Sequence, residues 1–266
     1  LTAKENTANL TFNMEILMHS LALAALLSIL LYSSSIEAAK IGFLVVATGK
    51  YSQFIPPLIK SARKHFCQGH EVTYFIFTDG AIPPEKDQVV LHHTKMGWPF
   101  DTMLRYQAYV AHWDQLSSQD YLFACDADML FVDNVGDEIL GELVATMHPG
   151  FYNGSPFPRI RGSYDTNPLS TACVRNHEGA YYFAGGFYGG RASAVLEMAE
   201  TNLKHIYQDL AHGVIALWHD ESHWNRYCID HPPTVILSPS YCYPENWNLP
   251  CSRKLLALDK DHAAIR

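Results

Sequence analysis

Two aspartates flank a single alanine at Asp126-Ala127-Asp128, directly after the apolar run Tyr121–Cys125. In extended backbone, residues i and i+2 point the same way, so both carboxylates can face one hard cation. A cation held by few protein oxygens keeps open positions for substrate phosphates, which suits Mn²⁺ or Mg²⁺. Acidic pairs at loop starts are usually solvated turn residues, and it is the preceding buried run that favours the metal reading here. A second polar cluster, Trp218-His219-Asp220-Glu221-Ser222-His223, sets two histidines four apart on one helical face. That spacing suggests a zinc protease, but there a glutamate directly follows the first histidine, and here Asp220 does. The same segment also reads as a helix start with polar capping neighbours.

Two further stretches offer binding chemistry. Gly185-Gly186 and Gly189-Gly190 stand among Tyr181, Tyr182, Phe183, Phe187 and Tyr188. They either let backbone approach a ligand beside aromatic faces or form a glycine-rich turn between strands. Lys254, Lys260, His262 and Arg266 place cations at the end of the chain, as a solvated tail or as a flap over a diphosphate.

These residues need elements to hold them. Ile41–Ala47 and Glu71–Phe77 are continuous β-branched and aromatic runs, as expected of strands buried on both faces. Gln53–Phe66 has apolar residues at helical spacing, Val89–His92 is a weaker strand, Phe100–Trp113 a helix, and Tyr121–Cys125 a strand. This alternation predicts an α/β fold with a mostly parallel central sheet, in which ligands lie beyond the carboxyl ends of the strands. Tyr51, Asp79 and Asp126 fall at such ends. After Asp128 the pattern turns irregular up to a helix near Ser193–His212, with no internal repeat or linker, so one domain over 40–266 is expected.

With 48% hydrophobic residues the chain has ample material for a core, and its formal net charge of −8 with scattered basic residues excludes a nucleic-acid footprint. Leu1–Asn13 is uninformative. Ile16–Tyr32 is almost wholly apolar and leads into small residues near Ala38, the pattern of a cleavable signal peptide or of a single membrane anchor. Either sends the rest into the secretory pathway, where disulfides form. Of the six cysteines, Cys242 and Cys251 are the best candidate pair, and Cys125 reads as a buried small hydrophobe. The sequon Asn153-Gly154-Ser155 precedes Pro156 and is a doubtful glycan acceptor.

Read in order, Ala47-Thr48-Gly49-Lys50-Tyr51, Phe77-Thr78-Asp79, Asp126-Ala127-Asp128, His148-Pro149-Gly150-Phe151-Tyr152, Gly185 through Gly190, Trp218 through His223 and Leu237-Ser238-Pro239 resemble glycosyltransferase family 6, which includes the histo-blood-group A and B transferases. The resemblance runs from Ile41 to Arg266. It implies a GT-A (Rossmann-like) fold and Mn²⁺-dependent, retaining transfer of galactose or N-acetylgalactosamine from a UDP-sugar. The acceptor would be a galactoside-type glycan, glycolipid or glycoprotein, in α linkage of the α-1,3 type. Carried over by position, it gives Asp126 and Asp128 the metal, and Val46, Thr48 and Tyr51 the uridine. Arg105, Ala127, Ala184, Gly185, Gly186 and Asp220 would contact the donor, Glu221 would be catalytic, His148 and Trp218 would meet the acceptor, and Lys260 and Arg266 would close over the phosphates.

The resemblance also implies that the first and third residues of Ala184-Gly185-Gly186 gate the C2 substituent of the sugar, the glycine leaving room for an N-acetyl group. Two departures matter. The apolar segment runs almost straight into Ile41, which points to a soluble luminal or secreted enzyme rather than a long-stemmed Golgi anchor. Ser240-Tyr241-Cys242-Tyr243-Pro244 replaces the usual acidic and Trp-Asp continuation, leaving the acceptor open. Beside the active transferase stand a family member reduced to binding carbohydrate or UDP-sugar, and a zinc hydrolase on His219 and His223.

Overall fold

The computed structural model describes residues 38–152 and 161–265. The apolar segment Ile16–Tyr32, the sequon at Asn153 and the terminal Arg266 lie outside the described residues.

The apolar run expected first in the chain is β1 (Lys40–Val46), which pairs in parallel with β2 (Glu71–Thr78) on one side and β4 (Tyr121–Cys125) on the other. β3 (Gln88–His92) continues the sheet beyond β2. Because side chains alternate along a strand, β1 feeds two cores. Phe43 and Val45 join Leu58, Ile59 and Ala62 of α1 (Ile55–His65), while Leu44 joins the opposite layer. A short 3-10 segment, Gly49–Phe54, precedes α1, and the helix begins beside Pro56 and Pro57, where a missing N–H is harmless.

The helix expected over Phe100–Trp113 is three pieces: α2 (Phe100–Met103), α3 (Arg105–Ala111) and α4 (Trp113–Leu116). The break at Leu104 lets Thr102 and Arg105 bond to one another and to the same carboxylate, described below.

Beyond β4 the order departs most from expectation. The stretch read as irregular carries β5 (Met129–Phe131), β6 (Leu143–Met147) and β7 (Phe183–Arg191). The glycine-rich stretch is thus a strand within the sheet rather than a turn. β7 runs antiparallel to both β4 and β6, and β8 (Val235–Leu237) lies parallel to β6, giving the order β3-β2-β1-β4-β7-β6-β8. Glycine is needed at the crossing: a Cβ on Gly189 would lie 2.3 Å from the Leu122 carbonyl oxygen, and one on Gly190 2.2 Å from that of Glu142. α5 (Ala192–Ala211) and α6 (His219–Asp230) pack on the face that holds Leu44, through Val195, Leu196, Met198 and Trp224.

A second sheet joins β5, β10 (Leu255–Ala257) and β9 (Tyr243–Pro244), and α7 (His262–Ile265) follows. The cysteine pairing does not form. All six cysteines are free, with Cys242 buried under Gly186 and Cys251 facing Tyr152. Cys125 is buried, as expected.

Candidate active site

A cavity of about 550 Å³ opens at the carboxyl ends of β1 and β4, and the elements just described supply its walls. Val46, Thr48 and Tyr51 come from the end of β1 and the segment after it, and Asp126, Ala127 and Asp128 from the turn after β4. Gly185 and Gly186 enter from β7 through a bulge. Ala145 pairs with Tyr188 but Thr146 with Ala184, so Gly185, Gly186 and Phe187 are extra on the β6 side, and the two glycines line the cavity while Phe187 stays in the core. The Gly186 carbonyl then accepts from the Asp126 N–H at 2.9 Å, locking bulge to turn.

Arg105 ties these walls together. Its Nη1 donates to Asp126 Oδ1 at 2.8 Å, and its Nε lies 2.9 Å from Asp220 Oδ2. Its Nη2 donates to Thr102 Oγ1 at 3.0 Å, and that hydroxyl donates in turn to Asp220 Oδ1 at 3.1 Å. Burial holds the Asp220 carboxyl up at about 6, against the opposing pull of Arg105 and with a further push from Asp126.

Glu221 follows in the first turn of α6, where the positive end of the helix dipole favours a carboxylate. Both its oxygens are held by the chain: Tyr182 Oη donates to Oε1 at 2.7 Å, and the Gly185 N–H donates to Oε2 at 2.8 Å. Burial pushes this carboxyl up to about 7, although those two donors work the other way. Two adjacent acids thus titrate near neutrality in one cleft, an arrangement concentrated at functional sites.

The C-terminal segment forms the remaining wall. The Leu258 N–H donates to the Asp128 carbonyl at 2.9 Å, the Lys260 ammonium pairs with Asp128 Oδ2, and Lys50 Nζ donates to the Ala264 carbonyl at 2.8 Å. Lys260 also sits 5.7 Å from the centre of the Tyr51 ring.

The expected acceptor residues separate. Trp218 lines the cavity, half exposed, with Nε1 donating to Ser163 Oγ at 2.6 Å. His148 stands one layer back, its ring 5.6 Å from that of Tyr182, which itself reaches Glu221. Burial takes the imidazole down to about 4, so it is neutral at pH 7. Ala184, expected at the donor, is buried in the core cluster with Phe187 and does not line the cavity, because the bulge begins only after it.

The zinc arrangement is absent. His219 packs against Trp98 at 5.2 Å, while His223 is buried with Nε2 3.8 Å from Asp209. Among the described residues no three His, Cys, Asp or Glu side chains gather as a metal cluster. Three cavity residues, Thr102, Lys95 and Trp98, carry no signal in the sequence that marks them for the site. Tyr182 reads there only as packing, and nothing in its spacing links it to Glu221.

A mostly parallel α/β sheet with a cavity beyond its strand ends is the architecture of a GT-A-type fold. The family model "Glycosyltransferase family 6" matches residues 27–266. The chain is 35% identical over 250 residues to histo-blood group ABO system transferase 1 of Rattus norvegicus, covering 87% of this chain and 70% of that protein. It is 35% identical over 239 residues to globoside alpha-1,3-N-acetylgalactosaminyltransferase 1 of Homo sapiens, covering 85% and 68%. With glycosyltransferase 6 domain-containing protein 1 of Mus musculus it shares 29% identity over 221 residues, covering 79% of this chain and 70% of that protein. The chain belongs to glycosyltransferase family 6.

Proposed function

We propose that residues 40–266 form a catalytic domain that transfers N-acetylgalactosamine, with galactose as the smaller alternative, from a UDP-sugar to a galactoside-type acceptor in the secretory pathway. Transfer retains the α configuration and makes an α-1,3-type bond. The observation that carries this reading is the convergence of Asp126, Asp128, Arg105, Asp220 and Glu221 on one cavity at the strand ends.

The turn after β4 suits a hard cation. It offers two carboxylates and no sulfur or imidazole, and the Lys260 ammonium on Asp128 supports the fit, since that carboxylate already draws positive charge inward. Asp126 and Asp128 would hold Mn²⁺ or Mg²⁺, which when bound supplies charge neutralisation at the departing diphosphate. The rest of the work falls to the chain itself. Lys260 follows the leaving phosphates, where its charge matters most as theirs develops. Arg105 fixes the Asp220 carboxylate against the donor sugar. Glu221 meets an oxocarbenium-like centre, either attacking the anomeric carbon or stabilising its charge from the opposite face. Trp218 supplies an apolar wall for the acceptor, and Tyr182 connects the His148 layer to Glu221.

The lack of a side chain at Gly186, on the cavity wall, supports N-acetylgalactosamine as donor. The buried Ala184 leaves that discrimination to Gly186 and to Cys242 beneath it, whose Sγ lies 3.1 Å from where a Gly186 Cβ would stand. A family member that binds sugar without turnover is the competing reading, and the neutral-range acidity of Glu221 in a shared cleft favours catalysis over it.

The test is release of UDP from UDP-N-acetylgalactosamine and from UDP-galactose, with Mn²⁺ and with chelator, over a panel of galactoside acceptors. Metal-dependent release, faster with the N-acetylated donor, is expected, and Asp126→Asn or Asp128→Asn should abolish the metal dependence while leaving the fold intact. UDP-sugar binding with no release under any acceptor would establish the binding-module reading instead.

A further inference from the structure

Five carboxyl groups, those of Asp101, Asp126, Asp128, Asp220 and Glu221, line the cavity, and a cation on Asp126 and Asp128 would offset only part of their charge as the donor diphosphate enters. Among the described residues, the lysine and arginine side chains that line the cavity are Arg105, Lys260 and Lys95. Arg105 pairs with Asp126 and Asp220, and Lys260 with Asp128, an ion pair that a cation on Asp128 would release toward the phosphates. Among the described residues, Lys95 has no carboxylate within ion-pair distance, so its charge is not neutralised within the protein.

Lys95 is exposed, yet its stem packs against backbone. It lies along the backbone at Gly49, in the segment after β1 that also supplies Thr48 and Tyr51. A Cβ on Gly49 would come within 2.8 Å of Lys95 Nζ and 3.0 Å of its Cδ. Gly49 has a φ of +57°, and its N–H is fixed by Asp79 Oδ1 at 2.7 Å. The missing side chain therefore leaves space beside the Gly49 backbone that the stem of the exposed Lys95 occupies, and Lys95 is among the residues that line the cavity. An ammonium so placed makes charge-assisted hydrogen bonds to phosphate oxygens without first breaking an internal ion pair.

We propose that Lys95 is a donor-binding residue that contacts the diphosphate of the nucleotide, and that Gly49 exists at its position to admit it. The inference rests on the UDP-sugar reading above and adds to it a cation supplied by the segment after β3.

Calorimetric titration of UDP and of uridine, each with Mn²⁺ present, separates a phosphate contact from a loop-holding role. Lys95→Met is expected to weaken UDP by about tenfold or more and to leave uridine unchanged, since the substitution removes a hydrogen bond to a charged group. Lys95→Arg should retain most of the affinity, and Gly49→Ala should reproduce part of the loss by displacing the lysine. Unchanged UDP affinity in Lys95→Met, or equal losses for UDP and uridine, would overturn the proposal while leaving the donor reading standing. Failure of the wild-type chain to bind UDP at all would overturn both.

Discussion

Burial sets the acidity of the two carboxyls that open α6, and the pH dependence of the reaction follows from it. Glu221 stands near 7 and Asp220 near 6, and because they share a cleft their protons leave as those of a pair. A raised acid is protonated below its pKa, and Glu221 acts as a carboxylate. kcat/KM for the donor is therefore expected to fall as pH drops below about 7 and to level off above it. Tyr182→Phe removes a donor that favours the ionised form. It should move that acid limb to higher pH and lower kcat at neutral pH by about tenfold, with donor KM little changed. An unshifted pH profile in Tyr182→Phe would show that the 2.7 Å contact does not tune Glu221.

At the scale of elements, β7, which runs antiparallel to its neighbours in the large sheet, shapes the site. β7 crosses β4 so closely that a methyl on Gly189 would strike both the Leu122 carbonyl and the Phe123 ring at 2.3 Å. Backbone cannot yield as a flexible side chain does, so Gly189→Ala should cost about 3 kcal/mol or more and lower Tm by roughly 6–12 °C. Gly186→Ala differs, since its methyl would meet side chains alone, the Cys242 thiol at 3.1 Å, Asp126 Oδ2 at 3.6 Å and Met129 Cε at 3.9 Å. That variant should fold and shift the donor ratio toward galactose by about 10- to 100-fold in competition at equal concentration, the scale of a methyl-sized change in a pocket. The contrast also marks what the sequence could reveal. β1, β2 and β4 were legible because strands buried on both faces must be continuously apolar, and α5 because its apolar period is helical. β7 was not, because its glycines lack strand propensity and are there for close approach to Leu122 and Glu142, which are distant in sequence. β5, β8, β9 and β10 are too short to show a period. Asp126 and Asp128 stood out by residue type and spacing, and Asp220 and Glu221 through the family resemblance, whereas Thr102, Tyr182 and Lys95 acquire their places only when α2, β7 and the segment after β3 come together.

Over the whole molecule, the cavity is closed by joining the beginning of the described fold to its end. Lys50, just after β1, holds the Ala264 carbonyl, and Leu258 and Lys260 hold the turn after β4. The hydrophobic layers on both faces of the sheet are otherwise complete without these residues, apart from Ile265. Removing residues 259–266 should therefore raise donor KM by about 10- to 100-fold, because charged contacts to the phosphates go with them, while Tm changes by only a few degrees. A large fall in Tm with unchanged donor KM would assign the segment to stability instead. Among the described residues no helix is long and apolar enough to cross a membrane. The most direct test of the central claim, that this cavity performs sugar transfer through Glu221, is the turnover of Glu221→Gln with UDP-N-acetylgalactosamine, Mn²⁺ and a galactoside acceptor, measured beside UDP affinity in the same preparation. Because the carboxylate acts on charge formed in the transition state, kcat should fall by about 10²-fold or more while UDP affinity stays within about twofold of wild type. Near-normal turnover in Glu221→Gln would contradict the account.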